Sequence, residues 1–434
     1  MNRLEKWLPV AFALPFLFAT TMLEFLRLPS EFGRWLMLAT TCGLAAMHGF
    51  GRGPKQRLGM LPADGVFLAF LGFFGISSIW AIDFSYSLQR TISFGMLYGA
   101  TFWYGWGYAD RFGEDRLLRL LLRTSAVLLG LNLLVFGVLA PDMIVARRFH
   151  GFFENPNNIG LICSVSLPLA FVALLRKREV GNWVEFSVFF LSVLACGSRT
   201  GLVASMTGMA LIGGLRMIRG DRLALAFGVA LAVLVASVSL TSYFEENVAR
   251  ADTLETMSNR TFFWELAKED YIPERPWLGH GFGTDGLIHE HYGVSLFDLK
   301  LRGYGVMSSY YGLAVAVGIP VTVLFYVMMG AVTLWALWQY WKDPLQVALC
   351  AAVIAGMLVG ITESAIYSVG NCFAYLFWMA FALMIRRANY RALRVRMTKA
   401  GAVMNRPRKK RARGRRKSVQ AAGSERRPTT PPAI

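Results

Sequence analysis

An all-α fold threaded repeatedly through a lipid bilayer follows from three features of the sequence. Hydrophobic residues make up 55% of the 434 and charged residues only 17%, and mean hydropathy is +0.45, a balance foreign to soluble domains. The apolar residues gather into runs approaching the ~20 needed to cross the hydrocarbon core. Short basic segments separate alternate runs, which fixes an orientation.

About 12 spans can be marked, at 7–25, 34–49, 64–82, 91–107, 117–140, 158–175, 183–197, 201–215, 223–240, 308–338, 345–361 and 370–385. The first follows "MNRLEK" without a convincing cleavage pattern and reads as a retained anchor rather than a signal peptide. The seventh and eighth are short and divided only by "GSRTG"; fused into one helix, they would invert every later loop. Cys42, Cys163, Cys196, Cys350 and Cys372 fall in or beside these runs without metal-ligand or disulfide spacing, so they read as core filling.

Alternate loops beginning with the second, "GRGPKQR", "DRFGEDRLLR", "RKREVGNW", "RMIRGDR" and "WKDP", all carry basic residues, which places them in the cytoplasm. The arginine-rich tail from Arg386 supplies much of the net charge of +18. Such a tail solubilises and orients; its nearest anionic neighbour is the inner leaflet, at about 1 kcal/mol per basic residue, rather than nucleic acid. The expected plan is spans one to nine over 1–240, a large, rather acidic periplasmic loop over 241–307, spans ten to twelve over 308–390, and a basic disordered cytoplasmic tail over 391–434. Both termini are then cytoplasmic, in a multi-pass inner-membrane protein.

Arginines on the outer side break this pattern and ask for an explanation. Arg147 and Arg148 precede "FHGFFENPNNIG", Arg199 sits in "GSRTG", and Arg260 opens "RTFFWELAKEDYIPERPWLGHGFG". Ser258 or Asn259 can cap a helix starting near Arg260 and stopping before Pro273. A cation in that first turn opposes the helix dipole by about 0.3 to 1 kcal/mol, and an anion between the two reverses the sign. Guanidinium forks suit the two phosphates of a diphosphate. The competing reading is snorkelling to lipid phosphates, which fits Arg147 best and stays open for Arg148, Arg199 and Arg260.

"RFHGFFENPNNIG", "GSRTG", "NRTFFWELA" followed by "PWLGHGFG", and "GITESAIYSVGNCFAYLFW", in that order, resemble the O-antigen ligase and polymerase family over roughly residues 140 to 385. The resemblance implies a glycosyltransferase-C-like fold and an outer face that handles undecaprenyl-diphosphate-linked glycans. It puts Arg148, Arg199 and Arg260 where the family keeps arginines. It also implies a His-Asn pair entering the span after the large loop, where this chain has Met307 and Ser308.

Met307 cannot accept a proton, so the base for an attacking hydroxyl falls to other outward groups. His289 and His291 in "IHEHYG" are the candidates for the catalytic role, ahead of His280 and His150; His48 lies at the wrong end of its span. Two histidines at i and i+2 with no third fixed ligand make a poor metal site, so no metal and no cofactor is expected. "GHGFGTDG" lacks the strand and lysine of a phosphate cradle and reads as a turn returning the loop to the membrane. Asn155 and Asn157 in "ENPNN" suit capping, with Pro156 in the first turn, or contact with a sugar. Glu363, at the outer end of span eleven, needs a partner or water and is placed to orient an arginine.

Together these features predict a metal-independent membrane glycosyltransferase, and the resemblance implies inversion at the anomeric carbon. The enzyme would move a glycan from undecaprenyl diphosphate to an acceptor hydroxyl, on a growing glycan or on lipid A core, at the periplasmic face. Arg148, Arg199 and Arg260 would bind the diphosphate, with Glu363, Asn157 and His280 in support. A transporter or flippase of lipid-linked oligosaccharide is the alternative, but transporters gather their binding groups near the bilayer midplane, often between related halves. No repeat is visible here, and the unusual charges lie outside.

Overall fold

A computed structural model describes residues 5–18, 20–47, 62–138, 144–145, 148–218, 260–296, 299–300 and 305–404. The chain divides into two compact units, Met1–Arg386 and Arg387–Ile434. The first is mostly helical: α1 (Leu8–Leu17), α2 (Glu24–Met47), α3 (Pro62–Ser77) and α4 (Phe84–Tyr98), which passes through a π-helical turn into α5 (Gly105–Phe112), then α6 (Glu114–Val138). A hairpin of β1 (Ile144–Val145) and β2 (Arg148–Phe149) precedes α7 (Pro156–Arg176), α8 (Val180–Ala195) and α9 (Arg199–Met217). Beyond come α10 (Arg260–Leu266), α11 (Ile288–His291), a hairpin of β3 (Ser295–Leu296) and β4 (Leu299–Lys300), then α12 (Ser309–Val317), α13 (Ile319–Tyr340) and α14 (Pro344–Val359). The last helix, α15 (Cys372–Met404), ends past the tail boundary expected at residue 390.

Among the described residues, three helices are long and apolar enough to cross a membrane, within Glu114–Val135, Pro156–Arg176 and Ile319–Tyr340. Leu8–Leu17, Gly65–Trp80, Val180–Ala195 and Pro344–Val359 are apolar but shorter. The span expected at 223–240, much of the acidic loop, His48, Arg147, Ser258, Asn259 and the tail beyond 404 lie outside the described residues.

The short seventh and eighth spans are two helices. Cys196 and Gly197 turn the chain, and the Ser198 hydroxyl accepts from the Gly201 amide at 3.3 Å to cap α9. The stretch expected as one span at 308–338 is instead two helices. Gly318 adopts φ +83°, open to a residue without Cβ, and Pro320 starts α13 where its missing N–H costs nothing. Pro273 does not end its helix either. The backbone widens into a π-helical turn at Ala267–Tyr271, and Pro273 falls in the first turn of Ile272–Glu274.

Helices α7, α9 and α14 pack on one another. A Cβ on Gly201 would lie 2.6 Å from the Gly160 Cα, so only two glycines let α7 and α9 meet at this crossing. Small residues permit such approach where apolar lipid gives helices little drive to associate. The crossing carries the starts of both helices, Asn157 and Arg199, to one place. Cys163, Cys196, Cys350 and Cys372 are buried, Cys42 is half-buried, and all five are unbridged.

The segment from Arg260 packs as a small apolar cluster of Ala267, Tyr271, Ile288, Val306 and Val315. The "GHGFG" turn is stitched to α12 by the His280 amide on the Val315 carbonyl (2.9 Å) and the Gly281 amide on Ala316 (2.8 Å). Its His280 carbonyl accepts from the Ile82 amide at 3.0 Å, which ties it also to the turn after α3.

Candidate active site

Arg148 reaches its position through a loop held at several points. The Asn132 side chain on α6 accepts from the Phe152 amide (3.0 Å), the Met22 amide donates to the Phe152 carbonyl (2.7 Å), and the Glu154 amide to Thr20 (2.9 Å). Strand β2 then directs the arginine inward. Its guanidinium Nε donates to the Cys196 carbonyl at 2.9 Å and an Nη to Asn157 Oδ1 at 2.5 Å. Arg148 is only 9% exposed, yet both partners are neutral, and among the described residues no carboxylate pairs with it. Burial lowers its ordinarily very high pKa; the charges of Arg260 and Arg199 act the same way, and Cys196 and Glu363 oppose them.

Asn157 passes the contact on. Its Nδ2 donates to Glu363 Oε1 at 2.9 Å, and the same oxygen accepts from an Nη of Arg260. Arg260 Nε donates to the Thr362 carbonyl at 2.8 Å. Burial raises the Glu363 carboxyl above its usual range, opposed chiefly by Arg260 and Asn157. Asn155, by contrast, is a cap, accepting from the Asn157 amide at 2.9 Å, and Pro156 takes the first turn of α7.

The segment 360–371 is the hub. The buried Ser309 hydroxyl donates to the Glu363 carbonyl (2.6 Å) and accepts from the amides of Ala365 (2.9 Å) and Ile366 (3.1 Å). The Thr362 hydroxyl donates to Thr200 at 2.9 Å, which joins the hub to the first turn of α9, where Arg199 is the opening residue. Arg148, Asn157, Arg260 and Glu363 thus form one hydrogen-bonded chain, and Arg199 stands close enough for its charge to act on Arg148. Ser309, Thr362 and the Cys196 carbonyl escape sequence reading. Ser309 lies 54 residues before Glu363 and carries no signal of its own until the fold brings the two segments together.

The histidines lie differently. His289 is completely buried, with Nδ1 hydrogen-bonded to the Tyr271 hydroxyl at 2.9 Å and its ring against Phe263. His280 is also buried, and its Nε2 meets the Tyr271 carbonyl at 2.9 Å. Burial lowers the pKa of both. "IHEH" is helical, so residues two apart diverge; His291 faces outward while His289 is core. His289, one of the two candidates for the base, is thus placed in the core. Met307 is the single non-glycine with positive φ (54°) among the described residues, and its carbonyl accepts from the Trp264 indole at 3.3 Å.

Residues 186–326 match a family model described as O-antigen ligase. This match supports assignment to the O-antigen ligase and polymerase family. The matched stretch contains Arg199 and Arg260, while Arg148, Asn157 and Glu363 lie outside it and join by tertiary contact alone. A comparison with curated proteins finds no match. The family together with the apolar helices indicates a bacterial membrane protein whose activity is of the ligase or polymerase type, on lipid-linked glycan donors and glycan acceptors.

Proposed function

We propose that the protein transfers a glycan from undecaprenyl diphosphate to an acceptor hydroxyl at the periplasmic face, as a polysaccharide polymerase or an O-antigen ligase. One observation carries this reading. Arg148 is buried, its hydrogen-bond partners among the described residues are neutral, and two further arginines act on it where Glu363 is the one carboxylate whose charge does. A buried unmatched cation is costly, so its retention supports a role in holding an anion. Arg148, Arg199 and Arg260 grip the diphosphate and stabilise the charge that builds on it as the anomeric C–O bond breaks. The acceptor oxygen attacks that carbon directly, with inversion, and three guanidiniums do the work without a divalent ion. Twelve crossings, cytoplasmic termini and a periplasmic 241–307 loop complete the arrangement.

Purified protein given a lipid-diphosphate-linked glycan in EDTA tests the proposal. Elongated lipid-linked chains are expected from a polymerase, and glycan moved onto lipid A core from a ligase. Unchanged carriers with either acceptor present, alongside an active metal-supplemented sample, would contradict it.

A further inference from the structure

We infer that Glu363 is the general base of the transfer, the group that takes the proton of the acceptor hydroxyl; the inference rests on the reading of the arginine cluster as the diphosphate site. Both hydrogen bonds to its carboxylate, from Asn157 and Arg260, fall on Oε1. Among the described residues nothing bonds Oε2. The Glu363 side chain keeps 22% exposure. Another carboxylate, Asp285, is buried and already accepts from the Tyr367 hydroxyl at 2.8 Å.

The imidazoles do not compete. His280 and His289 are buried and committed to Tyr271, and His150 is buried with Nδ1 on the Phe153 carbonyl at 2.8 Å. His291 is exposed against Tyr292, and no hydrogen bond or ion pair joins it to the arginines or to 360–371 among the described residues. Glu363 alone in this set touches the arginine network while offering a free acceptor.

The geometry gives each oxygen a task. Oε1, held by Arg260 and Asn157, fixes the carboxylate plane. Oε2 takes the acceptor proton as the acceptor oxygen bonds to the anomeric carbon. The bond from that carbon to the diphosphate breaks, and its electron pair leaves with the diphosphate onto the guanidiniums. Burial raises the Glu363 carboxyl, and Arg260 opposes that rise.

The test compares wild type with Glu363→Gln, Glu363→Ala and Arg148→Ala in detergent. Binding is read with undecaprenyl diphosphate, and transfer with the lipid-linked glycan accumulated in membranes of a strain lacking the gene. Glu363→Gln is expected to bind the carrier at least as tightly as wild type, to lose transfer by about 10²- to 10⁴-fold, and to lose the acid limb of the pH–rate profile. Added acetate is expected to restore part of the transfer in Glu363→Ala. Transfer near wild type in Glu363→Gln, or transfer and carrier binding lost together with no acetate rescue, would overturn the base assignment. Arg148→Ala separates this from the site itself, because unchanged carrier binding there contradicts the diphosphate reading and not merely the role of Glu363.

Discussion

Two arginines of the helical unit, nearly equal in burial, are treated in opposite ways. Arg386, with its side chain 11% exposed, forms ion pairs with both Asp110 and Glu114. Arg148, 9% exposed, meets a carbonyl and an amide oxygen. Helix α15 starts beside the first site, where the Cys372 thiol reaches the Asn158 carbonyl, and Arg386 lies 14 residues along it, about 21 Å at helical rise. Where a buried cation serves the fold, the chain supplies acid to match it. Where it does not, the fold holds the cation by neutral groups and leaves its charge for something else.

Removing each arginine therefore breaks the comparison in a different currency. Arg148→Ala is expected to lose transfer by about 10²- to 10³-fold, the scale for loss of one donor to a developing anion, while the amount of folded protein in the membrane persists. Arg148→Lys should recover little, since an ammonium lacks the fork that reaches Cys196 and Asn157 together. Activity assays on matched membrane amounts check both. Arg386→Ala should do the reverse, with transfer per folded molecule unchanged and stability reduced by about 3 kcal/mol, because Asp110 and Glu114 stay behind without their cation. Thermal unfolding in detergent measures it.

Asn157→Ala sharpens the picture at smaller scale. It removes the bridge between Arg148 and Glu363 but no charge, so about a tenfold loss of transfer is expected, in keeping with one hydrogen bond to a charged group. The smallest effect concerns acid. The folded pKa of His280 and His289 is lowered by burial from an unfolded value near 6.5. Their contribution to stability is present above about pH 6.5 and is lost as pH falls through the lowered folded values, at under about 1.4 kcal/mol per pH unit for each ring. Protection factors for hydrogen exchange over 271–292, corrected for the intrinsic pH dependence, should fall between pH 7 and pH 5, and His289→Phe should flatten that dependence.

Much of the site is legible in the sequence because charge stands out against an apolar background. Arg148, Arg199, Arg260 and Glu363 are each conspicuous for being where hydrocarbon or an outward turn makes a charge costly, and the short break at "GSRTG" is enough to separate α8 from α9. What they bond to is not legible. The Arg148–Cys196 contact depends on α7 and α9 meeting at Gly160 and Gly201, a property of two surfaces rather than of either motif. The uninterrupted apolar run around Gly318 hides a helix break that Gly-Ile-Pro does encode. His289 misleads for the opposite reason: a polar residue in a polar stretch is placed in a core by Tyr271 and Phe263, neither of which is adjacent to it.

The most direct measurement is binding of undecaprenyl diphosphate to the purified full-length protein, titrated for wild type, Arg148→Ala and Arg386→Ala at two salt concentrations. Saturable, salt-weakened binding that falls at least tenfold in Arg148→Ala and stays at wild-type strength in Arg386→Ala is the predicted result. Equal affinity in wild type and Arg148→Ala would contradict the claim that the acid-free arginine exists to hold a diphosphate.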